Sequence, residues 1–194
     1  MPYPPGGVRT ISRPDGSTAE SWHAFTCGHC GAAVSGAVVA HHENTWWVIC
    51  PTCGEGSVRT SGGVVYPTVM FGPEISGLPS PGIAEAYHEA RACMSAGAYT
   101  ACELLCRKIL MHIAVEKGAR EGDTFVAYLD HLSTTGYITP PMKRWVGLIR
   151  EHGNSATHKI EPTEQLRAEG TLMFAAELLR LVYEMDHLAA KYAT

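Results

Sequence analysis

No segment of this sequence is both long and apolar enough to cross a membrane. The most apolar short run, residues 31–40, is interrupted by glycine and serine and is followed by two histidines, whereas a spanning helix needs about 20 apolar residues. The start, Met-Pro-Tyr-Pro-Pro-Gly-Gly, has neither the basic nor the apolar region of a secretory signal. We therefore expect a cytoplasmic protein with no membrane partner.

The sequence also has no excess of basic over acidic residues. Lysine and arginine number 15, aspartate and glutamate number 19, and the formal net charge is -4. This excludes a positive coat for bulk nucleic-acid binding, although not a local basic patch. The P-loop, the Rossmann fingerprint and a Ser-His-Asp arrangement are absent as well. With 45% hydrophobic residues, the chain can still bury a globular core.

Four of the seven cysteines form two Cys-x2-Cys pairs. Nineteen residues separate Cys27 and Cys30 from Cys50 and Cys53, a spacing expected of a four-cysteine zinc site. Two residues between the thiolates let one tight turn present both sulfurs to a metal. The pattern predicts one structural zinc ion per chain, with no open position for catalysis. Two disulfides, which a reducing compartment disfavours, or four unligated thiols are the alternative.

The remaining cysteines are weaker candidates for chemistry. They fall on or near apolar helical stripes, which favours small buried hydrophobic residues over ligands or nucleophiles; they are Cys93, Cys102 and Cys106. Three histidines lie near the cysteine pairs, but a complete cysteine set needs no further ligand; they are His29, His41 and His42.

Composition divides the chain into four segments. Residues 1–20 are rich in proline, glycine, serine and threonine and predict a flexible arm. Residues 21–60 predict the short strands of a zinc ribbon, and residues 61–80 predict a Gly/Pro-rich connector. Residues 81–194 carry apolar residues at helical spacing between glycine and proline breaks, which predicts a bundle of about five helices. The fold class is mainly α, preceded by a small β zinc ribbon.

A polar stripe interrupts the helical region. Arg150, Asn154 and His158 lie four residues apart, so they share one face of a continuous helix. A permanently charged guanidinium, an amide and an imidazole that titrates near neutrality can together handle a phosphate. The competing interpretation is a helix C-cap, in which Gly153 ends the helix and Asn154 starts a turn.

Several short motifs occur together in the helical region. They are Tyr87-x-Glu89-Ala90, Gly97–Ala101 followed by Arg107, Leu129–Leu132 before Gly136-Tyr137-Ile138, and Ile149-Arg150-x-x-Gly153-Asn154-x-Ala156-x-His158. This set, over about residues 80–185, resembles a bacterial and phage domain of unknown function that is also appended to type I restriction-enzyme R subunits. That domain is grouped with the HEPN superfamily (higher eukaryote and prokaryote nucleotide-binding), and a zinc ribbon is its common companion.

The resemblance implies a dimeric, HEPN-like bundle with the motif residues near its two-fold axis. Active HEPN proteins cleave RNA without a metal. By this resemblance His158 is the acid or base, Arg150 holds the phosphate and Asn154 positions the substrate. The chain departs from the active pattern because seven residues separate Arg150 from His158. That step rises about 12 Å along a continuous helix, farther than in the active pattern.

Two functions therefore stay open. The first is a nucleic-acid-directed protein of prokaryotic or phage defence, acting as a metal-independent endoribonuclease through Arg150 and His158. The second is a non-catalytic adaptor with a degenerate HEPN site, which binds protein or nucleic acid. Both involve a homodimer through the helical domain and a ribbon that contacts RNA, another nucleic acid or a protein partner. A nucleotide sensor with its pocket at the dimer axis is a weaker third hypothesis.

Overall fold

The computed structural model describes residues 21–155 and 162–193, with side chains described for residues 21–150 and 162–193. The chain divides into two compact units, Met1–Met70 and Phe71–Thr194. The described part of the first is a β-sheet and that of the second is helical. The coarse prediction, a small β unit followed by a mainly helical chain, is confirmed. The predicted arm, residues 1–20, lies outside the described residues.

Five strands form one antiparallel sheet, in which each strand pairs with the next along the chain. They are β1 Trp22–Thr26, β2 Ala33–His42, β3 Thr45–Ile49, β4 Gly56–Thr60 and β5 Val65–Tyr66. The side chains alternate between the two faces, as strand geometry requires. One face buries Phe25, Val38 and Val48 together with two of the paired cysteines. This small core lies beside the metal-ligand candidates.

The helices begin and end where local residues favour it. They are α1 Pro81–Ser95, α2 Tyr99–Glu116, α3 Phe125–Thr134, α4 Pro140–Ser155 and α5 Gln165–Leu179, which continues through a π-helical turn, Arg180–Glu184, into α6 Met185–Tyr192. The Ser80 hydroxyl accepts the Ile83 N–H at 3.4 Å, and the Thr124 hydroxyl accepts the Ala127 N–H at 3.2 Å. Such caps satisfy donors that the first turn leaves unpaired. No helix in the described ranges is long and apolar enough to cross a membrane.

Helix α2 lies at the centre of the helical unit and packs against α1, α3 and α5. Its apolar stripe is fully buried, with Cys102, Cys106, Leu110 and Ile113 each at 0% exposure. The two cysteines behave as the small buried hydrophobic residues that the sequence predicts. The packing of this stripe against α5 holds the bundle together.

Residues 71–80, here called the strap, run along the helical unit without regular secondary structure. The Arg91 guanidinium donates to the carbonyl oxygens of Phe71 and Gly72, each at 2.9 Å. The Ser76 N–H donates to a carboxylate oxygen of Glu184 at 2.8 Å. Apolar strap residues also pack on the helical core; they are Phe71, Ile75 and Leu78. The second half of the predicted connector is thus bound to the helices.

Candidate functional site

The first cysteine pair lies on a tight turn between β1 and β2. The Cys27 N–H donates to the Ala32 carbonyl at 2.9 Å, and the Gly31 N–H donates to the Cys27 carbonyl at 2.8 Å. Gly31 has a φ of 71°, in the left-handed region that glycine adopts without steric cost. The turn directs the sulfurs of Cys27 and Cys30 to the same side.

The second pair lies on an equivalent turn between β3 and β4. The Cys50 N–H donates to the Glu55 carbonyl at 3.0 Å, and the Gly54 N–H donates to the Cys50 carbonyl at 2.8 Å. Gly54 has a φ of 79°, so it has the same role as the glycine of the first turn. The two Cys-x2-Cys-Gly segments therefore have the same fold and bring Cys50 and Cys53 to the first pair.

The four sulfurs form one cluster. The Cys27 and Cys53 sulfurs are 3.7 Å apart, the Cys30 and Cys50 sulfurs are 3.8 Å apart, and all four lie within 4.8 Å of one another. A tetrahedron with metal–sulfur bonds of about 2.3 Å has edges of about 3.8 Å. A disulfide requires about 2.05 Å, so these cysteines are free thiols. The cluster is compatible with a metal site of four sulfur ligands.

The environments of the four thiols differ. Cys27 and Cys50 are fully buried and Cys30 is exposed. Burial alone would raise the pKa of the Cys50 thiol. Hydrogen bonds from the backbone N–H groups of Cys53 and Thr52 outweigh this effect and lower the pKa to about 7. Burial raises the pKa of Cys53 to about 12. Because metal ligands must be thiolates, metal binding here releases protons.

A close backbone approach makes glycine necessary in the first turn. A Cβ atom at Gly28 would lie 1.8 Å from the carbonyl oxygen of Pro67, which follows β5 and a cis Tyr66–Pro67 peptide bond. The neighbouring His29 ring donates from Nε2 to the Gly56 carbonyl at 3.1 Å. His29 is not part of the sulfur cluster, and its ring is held by this hydrogen bond. We therefore interpret His29 as a residue that supports the turn and not as a ligand.

The structure assigns Arg150 a contact that its sequence spacing does not reveal. One terminal nitrogen of its guanidinium, Nη2, donates to the Asp130 carboxylate on α3. The side chains of Arg150 and Asp130 are 34% and 56% exposed. The Arg150 Nε atom is buried and has no hydrogen-bond partner among the described residues. Arg150 therefore links α4 to α3.

The other two residues of the predicted polar stripe fall where little is described. Helix α4 passes through Gly153 and Asn154 and ends at Ser155. The C-cap interpretation requires the helix to end at Gly153, and the structure does not show this end. The Asn154 side chain and all of His158 lie outside the described residues. Their proximity to Arg150 stays a prediction.

A buried ion pair on α2 and α5 was not predicted. Glu103 is 4% exposed and accepts hydrogen bonds from the Thr163 hydroxyl at 2.8 Å and from Arg167 at 2.6 and 3.2 Å. Arg107, one turn further along α2, lies 4.4 Å from the centre of the Phe125 ring. The available signal was that Glu103 and Arg107 are charged residues in line with Leu110 of the apolar stripe. These contacts fix the start of α5.

A cleft of about 530 Å³ lies between α4 and α5. Its lining includes Trp145, Ile149, Arg167 and Gly170, and its flanks carry Leu148 and Leu166. These two leucines are 55% and 80% exposed. Exposed apolar side chains grouped in this way are typical of interaction surfaces.

Comparison with known families decides the identity of the helical unit. Residues 88–194 match the family described as "Domain of unknown function (DUF4145)". The chain belongs to the DUF4145 family. The DUF4145 match begins inside α1 and includes Arg107, Asp130 and Arg150, whereas the sulfur cluster lies before it. No curated protein and no solved structure matches the chain.

Proposed function

We propose that this protein is a zinc-dependent, non-catalytic binding module. One structural zinc ion per chain folds the β unit, and the DUF4145 domain is a HEPN-like bundle that assembles as a homodimer. By its resemblance to restriction-associated and phage domains, the module serves a nucleic-acid-directed defence process. The observation that carries the non-catalytic role is the Arg150–Asp130 contact. In this contact the Arg150 guanidinium, which is expected to hold a phosphate, is already paired with a carboxylate of the same chain.

The donor set supports zinc and a structural role for it. Four thiolates at tetrahedral spacing are the ligands that structural zinc prefers, and they leave no position for water or substrate. Cys27 and Cys50 anchor the ion in the small core, and the backbone N–H groups of the two turns stabilise the thiolates. So small a sheet buries little apolar surface, and the free energy of metal binding supplies the stability that this surface does not.

The charge of the β unit favours a protein partner over nucleic acid. Between residues 21 and 70 the only Lys, Arg, Asp or Glu residues are Arg59, Glu43 and Glu55. Nucleic-acid affinity comes largely from lysine and arginine that neutralise phosphates. The described part of the β unit, residues 21–70, with one arginine and two glutamates, has no such surface.

The cleft between α4 and α5 supports a homodimer through the helical domain. Leu148 and Leu166 are exposed apolar side chains that line the same groove, and such grouping marks interaction surfaces. A second copy that covers this groove removes both side chains from water. Each buried leucine contributes about 1.5–3 kcal/mol of hydrophobic free energy.

A metal-independent endoribonuclease is the second candidate function. Two observations favour it. Arg150 precedes Asn154 and His158 by four and eight residues, and its buried Nε donor has no hydrogen-bond partner in the described parts of the chain. In this alternative Arg150 exchanges Asp130 for the scissile phosphate, Asn154 positions the substrate, and His158 moves the proton.

One cleavage experiment separates the two functions. Full-length, zinc-loaded protein is incubated with end-labelled single-stranded RNA in chelator, and its zinc content is measured before and after. Arg150→Ala and His158→Ala are compared with Arg144→Ala, which removes an exposed arginine from the same helix. We expect no cleavage by any form. Cyclic-phosphate ends that disappear in the first two variants and persist in the third would establish the ribonuclease instead.

A further inference from the structure

The side of the sheet opposite its core presents three exposed aromatic residues. Trp22 pairs with Ala37, which pairs with Ile49, so Trp22 shares a face with Ile49 and with Trp47 two residues before it. The third is Tyr66, and the exposed fractions of Trp22, Trp47 and Tyr66 are 49%, 42% and 55%. This surface, the aromatic face, contains Trp22, Trp47, Val58 and Tyr66.

The aromatic face has a regular spacing. Trp47 pairs with Val58, and Val58 pairs with Tyr66, so the three lie in one row across β3, β4 and β5. Neighbouring strands are about 4.8 Å apart, which puts the strands of Trp47 and Tyr66 about 9.6 Å apart. A polyproline II helix advances about 9.3 Å in each three-residue turn. Residues one turn apart in such a helix can therefore contact Trp47 and Tyr66 together, above the shorter Val58.

The chemistry of the aromatic face also suits polyproline II. Among the described residues paired on this side of the sheet, none is Lys, Arg, Asp or Glu. The indole N–H groups of Trp22 and Trp47 and the Tyr66 hydroxyl have no hydrogen-bond partner in the described ranges. Polyproline II has no internal hydrogen bonds, so its carbonyls are free to accept from these donors. Proline-rich ligands dock on aromatic side chains in several protein domains, and the aromatic face offers such side chains in one row.

We propose that the aromatic face binds an uncharged, proline-rich segment of a partner protein in the polyproline II conformation. The inference rests on the binding function proposed above and names its partner class. Exposed aromatics also stack on bases, but single-stranded nucleic acid requires cations beside them. Arg59 lies on the opposite face, where it pairs with Trp46 across the strands and stacks 5.5 Å from its ring.

The test uses full-length, zinc-loaded protein and fluorescein-labelled decaproline, with binding measured by fluorescence anisotropy. A Gly-Ser peptide of the same length is the control ligand. Trp47→Ala and Tyr66→Ala remove the two ends of the row, and Tyr192→Ala removes a more exposed tyrosine from α6. We expect saturable binding of decaproline alone, at least tenfold weaker in the first two variants and unchanged in the third. Circular dichroism and zinc content confirm that each variant is folded.

Several outcomes would overturn the proposal. They are no saturable binding up to concentrations on the order of 1 mM, where weak specific complexes form, equal binding of the Gly-Ser peptide, and unchanged binding by Trp47→Ala and Tyr66→Ala. Binding of oligouridylate to the same residues, or self-association through them, would assign the face to nucleic acid or to a second copy. Failure of peptide binding by folded protein refutes only the proline-rich partner, whereas RNA cleavage refutes the binding-module function.

Discussion

Replacing Glu103 by glutamine should destabilise the helical unit strongly. The Glu103 carboxylate is almost fully buried and accepts hydrogen bonds from Thr163 and twice from Arg167. Glutamine keeps the shape but has one neutral oxygen and brings an N–H group towards donors. The Arg167 guanidinium, with a side chain only 19% exposed, then faces no carboxylate at this position.

The magnitude follows from burial. Removing one partner of a buried ion pair costs about 3–5 kcal/mol, because the other charge stays away from water. For a domain of this size, that corresponds to a fall in Tm of about 10–20 °C. The matched control is Asp130→Asn, which breaks the ion pair with Arg150. Because the Asp130 side chain is exposed and the Arg150 side chain is about one third exposed, solvent screens this pair and we expect a loss of about 0–1 kcal/mol.

Thermal melts followed by far-ultraviolet circular dichroism measure both variants, because the signal comes mainly from the helices. A double-mutant cycle with Arg167→Gln tests the coupling, and the two changes together should cost less than the sum of each alone. If Glu103→Gln melts within about 4 °C of the unchanged protein, as Asp130→Asn should, the buried pair does not hold α5 on α2 and the reasoning is wrong.

Three further predictions concern other parts of the chain. Gly28→Ala should abolish stable zinc binding, measured as zinc per chain, because its Cβ would overlap the Pro67 carbonyl, whereas Gly56→Ala, with open space around it, should retain the ion. The Ser76 N–H lowers the pKa of Glu184, so its carboxylate stabilises the fold above its usual pKa of 4.5 and this contribution is lost as pH falls through the lower folded value; Glu184→Gln should show a smaller loss of urea stability on acidification, and an equal loss would contradict this. Leu166→Glu should shift the protein from dimer to monomer in light scattering, while unchanged mass would remove the α4–α5 cleft as the interface.

Features set by neighbouring residues could be predicted from the sequence. The Cys-x2-Cys-Gly segments require only a local turn, and the structure forms both turns with the same hydrogen bonds. The caps at Ser80 and Thr124 likewise depend on residues three positions away. Such short-range geometry follows from residue type and spacing.

Contacts between distant residues could not be predicted. The spacing of Arg150 places it on a helix face, but the Asp130 that binds it lies on another helix. The strap reads as a loose connector because its partners, Arg91 and Glu184, are far away in the sequence. Glu103 shows the same difficulty, since its burial depends on how α5 approaches α2. A charged residue in line with an apolar stripe indicates such a pair without identifying its partner.

Zinc-edge X-ray absorption of the full-length protein, together with metal analysis, tests the proposed metal site most directly. A closed four-cysteine site predicts one zinc ion per chain with four sulfur ligands at about 2.3 Å and a β unit that unfolds when the ion is removed. A protein that folds without metal, or a zinc ion with nitrogen or oxygen ligands among its first four, would contradict the proposal that Cys27, Cys30, Cys50 and Cys53 form a closed structural site.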